Sequence, residues 1–259
     1  MNKNETAPPV RVIARLDIKG PNVIKGIRLE GLRIVGKPGA MARRYYEQGV
    51  DEIIYMDTVA SLYGRNQILD IVEEAGRDIF VPMTVGGGIR SIDNITAALR
   101  RGADKVAINT AALKRPEFLS EAARVFGSQC IVVSIEAKKW RSDYWEAYYD
   151  NGRERSGLDA IKWAMQAESL GAGEILLTSV DAEGTKKGFD LDLYEQVRSQ
   201  VRIPVIAAGG GGTSGHVAEL LDRSQADAVC CASLFHYDIS DVTSLKRSIA
   251  AAGHRVRPS

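Results

Sequence analysis

TVGGGIRSIDNITAALRRGADKVAINTAAL (84–113) returns later in the chain as IAAGGGGTSGHVAELLDRSQADAVCCASLFH (206–236). Each copy runs from an apolar strand to a glycine run, a helix, a second apolar strand and a small polar end. Gly86 to Gly209 and Asp104 to Asp227 share one offset of 123 residues. The segments ahead of the copies match as well. GVDEIIYMDT (49–58) lies 122 residues before GAGEILLTSV (171–180), and LDIKG (16–20) lies 119 before IEAKK (135–139). A near-constant offset close to half the chain length indicates a duplicated half-domain.

Working outward, apolar runs of strand length recur at 11–17, 52–57, 80–85, 104–109, 130–136, 174–179, 203–208 and 227–232. Stretches with helical periodicity lie between them, such as NQILDIVEEAG (66–76) and PEFLSEAARVFG (116–127). The runs are apolar on both faces rather than alternating, as expected for parallel strands covered by helices. Eight strand–helix units with internal two-fold repetition predict an α/β fold, a (β/α)8 TIM barrel built from two half-barrels. An open doubly wound sheet would leave the repeat without a reason. No linker interrupts the chain, so residues 1–259 are expected to form one domain, with MNKNETAPP (1–9) as a frayed polar tail.

The composition fits a soluble globular chain large enough to bury a core: 45% hydrophobic and 26% charged residues, with a formal charge of +1. That balance provides no global field toward nucleic acid or a membrane surface. There is no apolar run of transmembrane length and no signal-peptide pattern. Cys130, Cys230 and Cys231 sit in apolar runs without metal-ligand spacing and are read as reduced core residues of a cytoplasmic protein. Neither a metal cluster nor a dinucleotide fingerprint is visible, so no cofactor is expected.

In such a barrel the strand C-termini form the active face. Asp17, Asp57, Gly86, Asn109, Glu136, Ser179, Gly209 and Ser233 fall at those ends. The runs Gly86–Gly88 and Gly209–Gly212 let backbone N–H groups approach an anion without an intervening Cβ. Asn109-Thr110 and Ala232-Ser233 complete each half. Two such cradles on one mouth suit an elongated substrate with a phosphate at each end. Asp17 and Glu136 end strands one and five, which lie opposite each other in an eight-stranded ring, and could divide acid and base work. NVIKGIRLEG (22–31) reads as a small hairpin that could serve as a lid. The insertion at 138–156 reads as another, with Trp140 and Trp145 placed to cover the mouth. His216 and His236 stand near the second cradle.

The strings TVGGGI, RGADKVAINTAA, FGSQ, GAGEILLTS, EGTKKGFD and the LFH after Ala232-Ser233 closely resemble the HisF family, the cyclase subunits of imidazole glycerol phosphate synthase. The resemblance runs from Arg11 to about Val256. It implies an enzyme that takes ammonia from a HisH-type glutaminase in a heterodimer. The ammonia crosses the barrel and converts the phosphorylated keto sugar PRFAR to imidazole glycerol phosphate and AICAR. It carries Asp17 and Glu136 over as the acid–base pair, and Lys25 and Asp57 as substrate contacts. Gly88, Asn109 and Thr110 match one phosphate site; Gly184, Gly210, Ala232 and Ser233 match the other. Arg11, Glu52, Lys105 and Glu174 match the charged ring of an ammonia entrance.

Two positions depart from the family pattern. The second acid is normally aspartate, and here it is Glu136. Position 15 is normally small, and here it is Arg15. Alternation along RVIARLD turns Arg11, Ile13, Arg15 and Asp17 to one side. An inward guanidinium needs a partner to offset several kcal/mol of desolvation, so a buried Arg15–Glu136 ion pair is expected. These departures also resemble a HisF paralogue of surface-polysaccharide gene clusters, which supplies ammonia to a sugar amidotransferase. A barrel that only scaffolds a glutaminase is a third reading.

Overall fold

A computed structural model describes residues 8–58 and 68–259. Residues 1–7 of the expected tail and the first two of the 66–76 helix lie outside the described residues. The strands are β1 (Arg11–Lys19), β2 (Asn22–Ile27), β3 (Glu30–Gly36), β4 (Glu52–Asp57), β5 (Met83–Gly86), β6 (Lys105–Ile108), β7 (Ile131–Arg141), β8 (Tyr144–Tyr149), β9 (Glu154–Asp159), β10 (Glu174–Ser179), β11 (Val205–Ala208) and β12 (Ala228–Cys231). The helices are α1 (Pro38–Glu47), α2 (Ile68–Ala75), α3 (Ile92–Arg100), α4 (Thr110–Lys114), α5 (Glu117–Phe126), α6 (Ala160–Ser169), α7 (Leu191–Gln200), α8 (Ser214–Ser224), α9 (Ser233–His236) and α10 (Val242–Ala251).

Eight strands pair in parallel in the order β10-β11-β12-β1-β4-β5-β6-β7, and β7 pairs back onto β10. The ring is therefore a closed (β/α)8 barrel with no free edge. Alternation along each strand divides the core in two. Val12, Ala14, Leu16 and Ile18 of β1 join the outer layer beneath the helices. Ile13, with Ile54, Val132, Leu176, Ile206 and Cys230, forms a separate cluster inside the ring. Burial on both faces is why the strands read as unbroken apolar runs.

The repeat is visible in how the chain closes its ends. The Asp104 carboxylate accepts the Met83 N–H at 2.8 Å, and Asp227 accepts the Val205 N–H at 2.9 Å. Ser91 caps α3 by accepting from the Asn94 N–H, and Thr213 caps α8 by accepting from the His216 N–H. The antiparallel strands β2–β3 extend β1, and β8–β9 extend β7, so each half-barrel carries one hairpin above the mouth. The two hairpins meet there. Leu29, in the turn between β2 and β3, lies so close to Gly152 that a Cβ there would stand 2.8 Å from it.

The tryptophans do not cover the mouth as expected. Trp145 is fully buried in the outer layer, and its Nε1 donates to Asp190 at 2.7 Å. Trp140 is 51% exposed, with the Arg155 guanidinium 4.1 Å over its ring. Alternation along the hairpin turns one indole to the outer core and leaves the other at its rim. The three cysteines are free thiols; Cys230 and Cys231 are buried, and burial pushes the Cys231 thiol up to about 12.

The last helix is tied to the barrel by a buried ion pair. Lys246 Nζ lies 2.9 Å from Asp51 Oδ1 and donates to the Gly49 carbonyl, while Asp51 Oδ2 accepts the Val12 N–H. Removing one partner strands a buried charge. Lys246→Met is expected to lower unfolding free energy by about 3 kcal/mol, read from equilibrium urea denaturation. A loss within ~0.5 kcal/mol would mean the pair contributes as little as a surface bridge.

Candidate active site at the barrel mouth

β1 and β7 end on the same rim, and each delivers one buried acid. Asp17 Oδ1 accepts from Arg15 Nε at 2.8 Å, and Oδ2 lies 3.4 Å from Lys25 Nζ of β2. Lys25 also pairs with Glu183, from the loop after β10, and is itself buried. Burial alone would raise the Asp17 carboxyl; the Arg15 and Lys25 charges outweigh it and hold the group below the usual carboxylate range. Glu136 Oε2 accepts the Gly152 N–H at 2.7 Å. Burial pushes its carboxyl up to about 7, with Asp17 and Asp150 adding to the rise and Arg15 and the Gly152 N–H opposing it.

The expected Arg15–Glu136 ion pair does not form. Arg15 bonds instead to Asp17 and, through Nη1, to Thr178 Oγ1 at 3.3 Å. Residues two apart on a strand stack on one face, so Asp17 stands within reach without any bending of the chain.

The first glycine run opens onto a cavity of about 370 Å³ lined by Asp57, Gly88, Asn109, Thr110 and Glu136, with Arg90, Lys114 and Arg115 on its basic side. The Asn109 amide donates to the Tyr148 carbonyl, and Thr110 Oγ1 lies 3.3 Å from Asp150 Oδ1. The second run borders a tighter cleft of about 20 Å³, where Gly184, Gly210, Ala232 and Ser233 meet Arg15 and Glu183. Gly87 (φ +93°) and Gly210 (φ +109°) hold equivalent places in the two halves. A Cβ would overlap the Asp57 carbonyl in one and the Gly188 carbonyl in the other. His216 Nδ1 accepts the Gly212 N–H at 3.3 Å. His236 Nδ1 is 2.8 Å from the Tyr45 hydroxyl; burial and the nearby Lys25 charge lower it to about 4, so its ring is neutral.

At the opposite end of the barrel, strand starts bring four charges into one ring. Arg11 lies 2.6 Å from Glu52 and 2.5 Å from Glu174, and Lys105 lies 3.0 Å from Glu52 and 2.8 Å from Glu174. Each carboxylate bridges both cations. Burial opposes the charge on Arg11, but Glu174 and Glu52 more than offset it and raise the guanidinium further. Among the described residues no group of His, Cys, Asp and Glu could hold a metal ion, and no helix is long and apolar enough to cross a membrane.

Residues 11–241 match the family of histidine biosynthesis proteins. A protein of Legionella pneumophila is 63% identical over 203 residues, covering 78% of this chain and 96% of its own length. One from Bacillus cereus strain G9842 is 47% identical over 247 residues, covering 95% and 98%. One from Methanopyrus kandleri is 45% identical over 265 aligned positions, covering 95% and 97%. All three are named imidazole glycerol phosphate synthase subunit HisF. The chain belongs to the histidine biosynthesis family, as a HisF subunit. The shared name favours histidine synthesis over the sugar-amidation reading.

In this HisF barrel the structure gathers most of the sequence-predicted residues into three groups, while Asp17 and Lys25 pair with each other and line neither the large cavity nor the small cleft. Asp57, Gly88, Asn109 and Thr110 share the large cavity with Glu136; Gly184, Gly210, Ala232 and Ser233 share the small cleft; Arg11, Glu52, Lys105 and Glu174 form the floor. Glu183 and Asp150 were not singled out from sequence. Glu183 lies inside the EGTKKGFD string next to Gly184, a usable signal; Asp150 lies in a turn whose placement only the hairpin register reveals. Gly210→Ala is expected to cost about 2 kcal/mol from its left-handed backbone and to weaken sugar-phosphate binding about tenfold. Thermal denaturation and calorimetry measure both. Unchanged stability and affinity would remove the cradle from the site.

Proposed function

We propose that the chain is the cyclase subunit of an imidazole glycerol phosphate synthase, acting as one domain in the cytoplasm with a HisH-type glutaminase as heterodimeric partner. It uses ammonia to convert PRFAR to imidazole glycerol phosphate and AICAR, with no nucleic-acid or membrane partner and no cofactor. One observation carries the reading: each half of the duplicated barrel brings one glycine-lined cradle and one strand-end acid to the same rim, Glu136 lining the larger cavity and Asp17 paired with Lys25 beside it. An elongated substrate with a phosphate at each end matches that arrangement.

Gly88, Asn109 and Thr110 hold one phosphate; Gly184, Gly210, Ala232 and Ser233 hold the other. Lys25 and Asp57 contact the chain between them. Fixing both ends holds the reacting carbonyl between Asp17 and Glu136, which removes much of the entropic part of the barrier. Glu136, with a carboxyl near neutrality, is suited to exchange protons as ammonia adds, the imidazole ring closes and the C–N bond to AICAR breaks. Arg11, Glu52, Lys105 and Glu174 close the floor, where ammonia from the glutaminase enters the apolar interior.

The test supplies purified protein with PRFAR and an ammonium salt at high pH and measures imidazole glycerol phosphate. Product is expected, and none after prolonged incubation would eliminate the reading. Asp17→Asn is expected to lower ammonium-driven turnover about 1,000-fold. Lys105→Ala is expected to keep ammonium-driven turnover but to lose efficient use of glutamine in the complex with the glutaminase. Equal loss with both nitrogen sources would remove the ring from the ammonia route.

A further inference from the structure

The duplication places the two acids in matched positions but sets different residues beneath them. When LDIKG is laid on IEAKK, Asp17 stands against Glu136 and Arg15 against Ser134. When GVDEIIYMDT is laid on GAGEILLTSV, Met56 stands against Thr178. Arg15 and Thr178 therefore form a strut across the barrel, from β1 to β10, whose symmetry mates are a serine and a methionine. Neither mate can place a cation under the second acid.

The consequence is an unequal pair. One oxygen of Asp17 accepts from Arg15, and the other faces Lys25. Glu136 accepts the Gly152 N–H and has no salt-bridge partner among the described residues. We propose that Arg15 is a positioning residue that divides the acids by role: it holds Asp17 as a fixed anion beside the substrate and leaves Glu136 as the carboxyl that exchanges the proton. The inference rests on the cyclase reading for the reaction, but its geometry stands without it.

The surrounding titratable groups agree. Asp17 faces Arg15 on its own strand, Lys25 on β2 and His236 on α9. Glu136 faces Arg15 and Asp17 from β1 and Asp150 from the turn between β8 and β9. Arg15 itself faces Asp17, Glu183 after β10 and Cys230 on β12. Burial raises both carboxyls; two adjacent cations reverse this for Asp17, while for Glu136 the more distant guanidinium does not. A carboxyl near neutrality can give and take protons at working pH, whereas one held far below it stays charged. The strut also occupies the barrel interior between the apolar cluster and the mouth, so it fixes Asp17 from below while Lys25 fixes it from above.

The test titrates the side-chain carboxyls by NMR in protein labelled with ¹³C at Asp and Glu, with Asp17→Asn and Glu136→Gln assigning the two signals. In the unmodified protein Glu136 is expected to titrate with a midpoint of about 7, and Asp17 below the usual carboxylate range. In Arg15→Met the Asp17 midpoint is expected to rise by about one unit or more, tenfold in proton affinity. Arg15→Lys, which keeps the charge, is expected to hold Asp17 ionised. A silent Asp17 in Arg15→Met, or two acids titrating together in the unmodified protein, would overturn the proposal. If Arg15→Met does not fold, the unmodified protein decides: Asp17 titrating near neutrality sinks the idea, and a fixed Asp17 beside a titrating Glu136 supports it. A second arm follows ammonium-driven kcat/KM, normalised to free ammonia. Removing the Arg15 charge raises the Glu136 midpoint, so the limb that follows Glu136 moves to higher pH. A limb left in place with uniformly lower kcat would mean a merely structural role. Absence of turnover in the unmodified protein would count against the cyclase reading alone, since the NMR arm needs no substrate.

Discussion

Pairing of β7 with β10 closes eight parallel strands into a ring, and the rest of the molecule follows from that closure. Parallel strands all leave the ring by the same rim, so residues distant in sequence arrive at one mouth. Strand starts converge at the opposite end for the same reason. The duplicated chain thus delivers two acids and two glycine cradles upward, and four charged side chains downward, without any long excursion of the backbone. Two hairpins, one from each half, meet above the mouth because each continues one of two opposite strands.

A closed barrel makes charge inside it costly, and both charged groups answer that cost by pairing. The floor does so symmetrically: two cations and two carboxylates share every bridge. The mouth does so unequally. Arg15, Asp17, Lys25 and Glu183 form a linked network on one side, while Glu136 on the other has, among the described residues, a backbone donor and no salt-bridge partner. Two acids that descend from the same position of a repeat therefore differ in their readiness to take a proton.

Much of this was legible in the sequence. The half-chain offset predicted the barrel, and inward alternation along β1 placed Arg11, Ile13, Arg15 and Asp17 on one face. The cradle residues and the floor charges were also marked, by their positions at strand ends and starts and by the family resemblance. Three features were not. The partner of Arg15 depended on whether a long side chain folds back two residues or reaches across the ring. The place of Trp145 depended on which face of β8 meets the helices. Asp150 reaches Thr110 only because the register of β8 on β7 brings that turn over the first cavity.

Sequence by itself determined what repeats: strand spacing, the alternation that sorts inside from outside, and the glycines without which two tight backbone approaches would clash. These are local properties, set by the period of the strand and the size of a Cβ. Tertiary structure alone decided which charges touch. That choice turns on side-chain reach and desolvation across a ring some strands wide, where a shift of one side chain exchanges one acid partner for another. Hence the family and the places of the strand ends could be read along the chain, while the bonding of Arg15 to Asp17 rather than to Glu136 emerged only from the tertiary structure.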